Sequence, residues 1–106
     1  MAKTYADQAY SGTLATAGAT AATIGASTTF VMQGFCISNA NAAAKKAELL
    51  IDDKRILPYV TAVPPGDALI RSGLNIPVTT GLTIKVKGEV ADDMDYYIWG
   101  VNEVTS

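Results

Sequence analysis

The chain has 106 residues, which corresponds to one domain with a thin hydrophobic core. Charged residues make up 17% of the sequence and apolar residues 49%, and the formal net charge is −2. Because the few basic residues are dispersed and the net charge is negative, the composition argues against nucleic acid as a partner. The sparse charge indicates instead that a protein partner covers part of the surface.

Motifs for catalysis, metal binding or membrane insertion are absent from the sequence. The chain has no histidine, which removes the commonest general base and the usual zinc-ligand spacings. The single cysteine, Cys36, cannot form an internal disulfide, and we interpret it as a core side chain because it lies in an apolar run. The first ten residues lack the apolar segment of a signal peptide, and no stretch approaches the roughly 18 apolar residues that cross a bilayer. We therefore expect no enzyme, no cofactor and no membrane partner.

Residues 1–27 differ from the rest of the chain because Ala, Thr and Gly dominate their composition. After Met1, Leu14 and Ile24 are the only large aliphatic side chains in this segment. Such a segment buries too little apolar area to offset its own ordering entropy. We predict an extended N-terminal arm over residues 1–27, with short strands near 12–15 and 21–24, held either by the protein's own sheet or by neighbouring subunits.

Residues 28–38 are β-branched, aromatic and apolar, a composition typical of a strand covered on both faces. Gly34 within this strand indicates a bulge or a close approach. Residues 39–41 then supply a turn.

Residues 42–51 allow two interpretations. Asn41 could cap a helix, or the segment could be a strand in which Ala47, Leu49 and Ile51 face inward. We favour a hairpin with a turn at residues 52–53 and a return strand over 55–63. In that strand Pro58 marks an edge or a bulge, because proline has no N–H to donate.

The clearest strand lies between residues 82 and 87. Its apolar and polar side chains alternate with a period of two, which predicts one buried and one solvated face. The turn-forming residues 64–67 and 79–81 bound this unit. The inward set is Leu82, Ile84 and Val86, and the outward set is Thr83, Lys85 and Lys87.

An acidic loop and an aromatic strand end the chain. Four acidic side chains cluster in the loop, which we interpret as a polar hairpin turn, with a calcium loop as the alternative: Glu89, Asp92, Asp93 and Asp95. The last strand covers residues 96–103. Alternation places Tyr97 and Trp99 on one face and Tyr96 with Ile98 on the other.

Short strands separated by Gly, Pro, Asn and Asp predict an all-β fold, a β-sandwich or jelly roll of about seven strands. We divide the chain into the N-terminal arm, residues 1–27, and a β-sandwich domain, residues 28–106.

Aromatic side chains on both faces of a thin sandwich indicate that one face meets a partner, although a sugar- or base-stacking platform is the alternative. The predicted partner interface combines the arm's aliphatics with aromatics: Leu14, Ile24, Tyr59, Tyr96 and Trp99.

Several runs, among them VPPGDALI, GLTIKVK and YIWGV, make the sequence resemble small virion proteins of tailed bacteriophages with a β-sandwich fold, of the kind that decorate capsids. The resemblance covers about residues 28–103 and contains turns and strand alternation but no catalytic signature. It rests on residues 37–39, 49–52, 63–70, 74–76, 81–87 and 97–101.

The resemblance implies a decoration or cement protein on the capsid surface of a virion. Its implied partners are the major capsid protein and further copies of the chain, with a trimer favoured. Alternatives are a neck, tail or fibre-base component of the virion, and a carbohydrate- or receptor-binding sandwich module.

Overall fold

The computed structural model describes residues 2–91 and 93–105. Within those ranges the regular secondary structure consists of β-strands, and no helix forms. The strands pair into two antiparallel sheets of five strands each. Their bounds are β1 Lys3–Thr13, β2 Ala19–Thr23, β3 Thr28–Asn39, β4 Lys45–Ile51, β5 Lys54–Leu57, β6 Ala62–Val63, β7 Asp67–Arg71, β8 Ile76–Val78, β9 Thr83–Gly88 and β10 Met94–Thr105.

Sheet A has the order β1-β10-β3, with β7 and β8 side by side along the far edge of β3. Sheet B has the order β2-β9-β4, with β5 and β6 along the far edge of β4. When β5 with β6 and β7 with β8 are each counted as one interrupted strand, eight strands remain. Their order in the two sheets is that of a jelly roll. The predicted all-β sandwich is confirmed, with one strand more than the seven expected.

The core lies between the two sheets and is built by alternation along each strand. In β9, Ile84 and Val86 are fully buried while Lys85 and Lys87 are not, so the predicted register of this strand is confirmed. The other large buried side chains come from both sheets and from the loops that join them: Leu14, Ile24, Phe30, Met32, Phe35, Ile37, Leu49, Ile51, Leu57, Val63, Val78, Met94 and Ile98.

The described part of the N-terminal segment belongs to both sheets, so of the two ways of holding it that the sequence left open, the protein's own sheets are the one found. β1 pairs with β10 along its whole length, and β2 pairs with β9. Leu14 and Ile24 lie in the core with 2% and 3% of their surface exposed. The ordering entropy that composition alone leaves unbalanced is offset by a full ladder of backbone hydrogen bonds and by these two anchors.

The hairpin interpretation of residues 42–57 is confirmed, since β4 and β5 pair antiparallel and no helix forms in the described part of the chain. Asp52 and Asp53 both have positive φ, 51° and 59°, as the tight turn between β4 and β5 requires. The return strand stops at Leu57, just before Pro58, and pairing with β4 resumes only at Ala62. Proline therefore interrupts this strand, as its missing N–H predicts.

β3 is buried on one face only, so the prediction of a strand covered on both faces is wrong. Phe35 and Ile37 face sheet B and are buried, whereas Cys36 between them is only partly buried. Cys36 is consequently not a core side chain, because strand alternation turns it to the outer face of sheet A.

Asn39 at the end of β3 is the buried polar side chain of the described core, with 1% of its surface exposed. Its amide nitrogen donates to the carbonyls of Ala43 and Val63, at 3.0 and 2.9 Å. Its side-chain oxygen accepts from the backbone N–H and the side-chain amide of Asn41, at 2.9 and 3.0 Å. A fully bonded amide of this kind fixes the crossing from sheet A to sheet B.

The substitution Leu14→Ala tests the integration of the N-terminal segment. We expect it to lower the free energy of unfolding by about 2–5 kcal/mol, because it removes a buried side chain and leaves a cavity. The matched control Ser11→Ala changes an exposed position and should be neutral within about 0.5 kcal/mol. Denaturant unfolding measures both, and equal stability of the two variants would show that the segment lies outside the folded unit.

Candidate docking surface on sheet A

The outer face of sheet A carries a continuous group of apolar side chains that sheet B does not cover. Cys36 on β3 lies opposite Tyr97 on β10 and Ile70 on β7, and Val31 lies opposite Val101. Tyr97 and Ile70 are 50% and 58% exposed. We call this group, together with Trp99, the apolar patch: Val31, Cys36, Ile70, Tyr97, Trp99 and Val101.

Trp99 lies against the backbone of Gly34, its cross-strand neighbour. A Cβ atom at Gly34 would collide with the indole ring and would lie 2.6 Å from the carbonyl oxygen of Arg71. The ladder between β3 and β10 shifts register here, so that Gln33 is an extra residue in β3. Both parts of the predicted role of Gly34, a bulge and a close approach, are found at this point.

A shallow depression of about 420 Å³ adjoins the aromatic pair. The rings of Tyr97 and Trp99 are 6.2 Å apart and tilted by 33°. Asp7 and Gln33 contribute polar groups to the lining of the same depression. The patch therefore offers two aromatic faces with hydrogen-bonding groups beside them, which suits either a protein partner or a small polar ligand.

Polar pairs flank the apolar patch at both ends of the sheet. Thr13 donates its hydroxyl hydrogen bond to a carboxylate oxygen of Asp95 at 2.8 Å. At the opposite end, Lys3 forms an ion pair with Glu103 at 2.8 Å. An apolar centre with a polar rim is the arrangement found in protein interfaces.

The outer face of sheet B has a different character because charged side chains dominate it. Glu48 forms an ion pair with Arg55 at 3.3 Å, and Lys85 forms one with Asp53 at 3.2 Å. The ammonium group of Lys87 lies 4.6 Å from the centre of the Tyr59 ring. Charged side chains of this kind are at home in water, so the outer face of sheet B needs no partner. The outer face of sheet A is the one that exposes neighbouring apolar side chains.

The five residues predicted as a partner interface do not form one surface. Leu14 and Ile24 contact the protein's own core, and Tyr96 points inward, where its ring packs against Gly12. Tyr59 lies over sheet B, on the opposite side from the apolar patch. Only Trp99 belongs to the patch.

Sequence reasoning missed most of the patch, although the signal for Tyr97 was present. The predicted alternation already placed Tyr97 on the same face as Trp99, and this is confirmed. The same alternation gives the facing of Val101, which was not selected. Ile70 and Val31 could not be selected because their place in the patch depends on the strands that flank β3 and on its bulge.

The acidic loop holds no candidate metal site within the described residues. Glu89 accepts the backbone N–H of Lys46 at 2.9 Å, and Asp95 is bonded to Thr13. No group of three potential ligands comes together in residues 2–91 and 93–105, and Asp92 lies outside the described residues. In the same ranges there is no helix that could span a membrane.

Comparisons with known proteins return little. Neither protein families nor curated proteins match the sequence. Among solved structures, the chain is similar to a chain of the cyanophage Pam1 capsid asymmetric unit, with 16% identity and a TM-score of 0.43. The match covers 98% of this chain and 84% of that chain. A likeness at this level does not establish a shared function.

Replacement of Gly34 tests the geometry of the patch. We expect Gly34→Ala to displace the Trp99 ring and to lower the free energy of unfolding by about 1–3 kcal/mol, because the new methyl group overlaps the ring and a backbone carbonyl. Trp99 is the only tryptophan, so its fluorescence reports the change directly. The emission should shift to longer wavelength as the ring enters water.

The control for this variant is Gly25→Ala. A Cβ atom at Gly25 meets nothing within 4 Å, so both emission and stability should stay unchanged. Unchanged emission in Gly34→Ala would contradict the placement of Trp99 on Gly34.

Proposed function

We propose that this protein is a structural component of a virion, a decoration protein that docks its apolar patch on the lattice of a major capsid protein. The observation that carries the proposal is the uncovered outer face of sheet A. Accessible aromatic side chains beside aliphatic ones, with charged groups mainly around them, have the composition of an interface core. The resemblance of the sequence to phage virion proteins supplies the identity of the partner.

The proposed mechanism needs no chemistry. A protein that binds the assembled shell and not its separate subunits stabilises the shell by its binding free energy. A specific interface buries roughly 1,200–2,000 Å² in total, more than the apolar patch of a small domain provides alone. The proposal therefore includes homo-oligomers, with a trimer favoured by the resemblance, so that several patches engage the lattice together.

Other virion positions remain within the proposal as alternatives. A neck, tail or fibre-base component would use the same patch against a different protein surface. Binding assays with separated capsids and tails distinguish these locations.

A second candidate function is carbohydrate binding, favoured by one specific observation. Tyr97 and Trp99 are accessible next to the polar groups of Asp7 and Gln33 in a shallow depression. Aromatic rings with adjacent hydrogen-bonding groups are the elements of a sugar site. Jelly rolls occur in both capsid and lectin domains, so the fold does not decide between them.

The test compares binding of two variants to capsids that lack the protein. We expect Tyr97→Asp to weaken binding at least tenfold, about 1.4 kcal/mol or more, because it places a charge in the centre of the patch. Thr20→Glu adds the same charge to an exposed position of sheet B and should bind like the unmodified protein. Capsid melting with and without added protein gives a second measurement.

Equal binding of the two variants would contradict docking through sheet A. Absence of capsid binding by the unmodified protein, together with retention on immobilised glycans that Tyr97→Asp abolishes, would favour the carbohydrate-binding alternative.

A further inference from the structure

β1 forms one edge of sheet A and leaves a long row of backbone groups without a strand partner. It pairs with β10 over Lys3–Thr13, and within the described residues no strand pairs with its other side. An unpaired edge of this length is a template for another strand, and proteins that keep such edges solvated protect them with proline, bulges or charged side chains, above all lysine. The charges on β1 are Lys3 and Asp7, which have opposite signs. β1 contains no proline, and its ladder with β10 has no register shift.

The direction of the free backbone groups follows from the ladder. The Leu14 N–H donates to the carbonyl of Met94 at 2.9 Å, so the even-numbered residues of β1 point their N–H and C=O groups at β10. The odd-numbered residues point theirs outward. The Gln8 side-chain amide donates to the outward carbonyl of Ala9 at 3.1 Å, which satisfies that group locally.

The first part of the edge is the most accessible. Residues 3–7 are all exposed, both those whose side chains lie on the outer face of the sheet and those whose side chains lie on the inner face. Tyr5 is 65% exposed. For the outward backbone groups of Lys3, Tyr5 and Asp7, the described chain offers no hydrogen-bond partner. This segment therefore has free hydrogen-bonding groups and unobstructed faces together.

Its charges are self-complementary. The cationic Lys3 lies two residues before Tyr5, and the anionic Asp7 lies two residues after it. All three side chains lie on the outer face of sheet A. In an antiparallel pair of two such segments aligned on Tyr5, each Lys3 is opposite an Asp7. Alignment on Asp7 would instead place two carboxylates opposite each other, which is destabilising.

We propose that β1 of one copy pairs antiparallel with β1 of a second copy about a two-fold axis at Tyr5. Lys3 then lies opposite the partner's Asp7 and Tyr5 opposite the partner's Tyr5, with backbone hydrogen bonds at these positions. Glu103 forms a hydrogen bond with Lys3 and raises its pKa, so Lys3 is cationic at neutral pH and lies between two carboxylates in the pair. The joined sheet A is continuous across both copies.

The pairing has a consequence for docking, and this consequence alone rests on the proposed function. Because opposed residues share one face of a sheet, the two apolar patches face the same side of the joined sheet. Two patches presented together bind a repeating lattice with a much higher effective affinity than one. The two-fold contact is separate from the threefold contact that a trimer requires, and it links two copies whatever else they assemble with.

The first experiment is a cross-link on the axis. In purified protein carrying Cys36→Ser, Tyr5→Cys should give a disulfide-linked dimer under mild oxidation. Directly opposed residues of this type are about 5.5 Å apart between Cα atoms, within the disulfide range of about 4.4–6.8 Å. Ser11→Cys on the same edge and face, six residues from the axis, is the control and should form no disulfide-linked dimer.

The second experiment measures self-association by sedimentation at increasing concentration. The unmodified chain should gain mass with concentration through this two-fold contact, whether monomers or trimers are joined, and Asp7→Lys should weaken that association about tenfold because each Lys3 then opposes a second cation. Asp7→Glu retains the charge and should dimerise normally. Neither experiment contains capsid, so their failure is distinct from failure of the docking proposal.

A chain that remains monomeric up to its solubility limit, or that cross-links as well through Ser11→Cys as through Tyr5→Cys, overturns the pairing.

Discussion

β10 is the strand on which the rest of the structure depends, because it pairs along its length with β1 on one side and β3 on the other. Its alternation determines which side chains of sheet A meet the core and which stay outside. Met94 and Ile98 anchor the inner face with no exposed surface, while Tyr97 and Trp99 form the centre of the outer one. A change of register in β10 would exchange these two sets, so core packing and the docking surface are fixed by the same ladder.

The bulge at Gln33 extends this control to β3. Above the bulge the even-numbered residues, such as Cys36, face outward, and below it the odd-numbered residues, such as Val31, do so. The single extra residue therefore keeps large apolar side chains on the inner face on both sides of the bulge: Phe30, Met32, Phe35 and Ile37. It also coincides with the break between β7 and β8, where the Leu74 N–H donates to the Gln33 carbonyl at 2.9 Å. The change of facing in β3 and the interruption of the neighbouring edge thus occur at the same residue.

Local patterns predicted those elements whose partners are near in sequence. The alternation of β9, the turn at residues 52–53 and the interruption at Pro58 follow from backbone geometry that neighbouring residues specify. The N-terminal segment could not be assigned in this way, because its ordering depends on β10, at the other end of the chain. The facing of Cys36 was mispredicted for a different reason, since an apolar run of this kind fits a strand covered on both faces as well as a strand covered on one. The docking surface combines β3, β7 and β10, so its extent is a property of strand order and not of any one stretch.

The pairing of Lys3 with Thr105 also governs the time course of folding. Contacts between segments this far apart in sequence are costly to close, and folds rich in such contacts form slowly. During synthesis β1 leaves the ribosome before its partner β10, so in that interval both edges of β1 are unpaired. At high local concentration the β10 of one molecule can then capture the β1 of another. Strand exchange between copies is therefore the characteristic kinetic hazard of this topology.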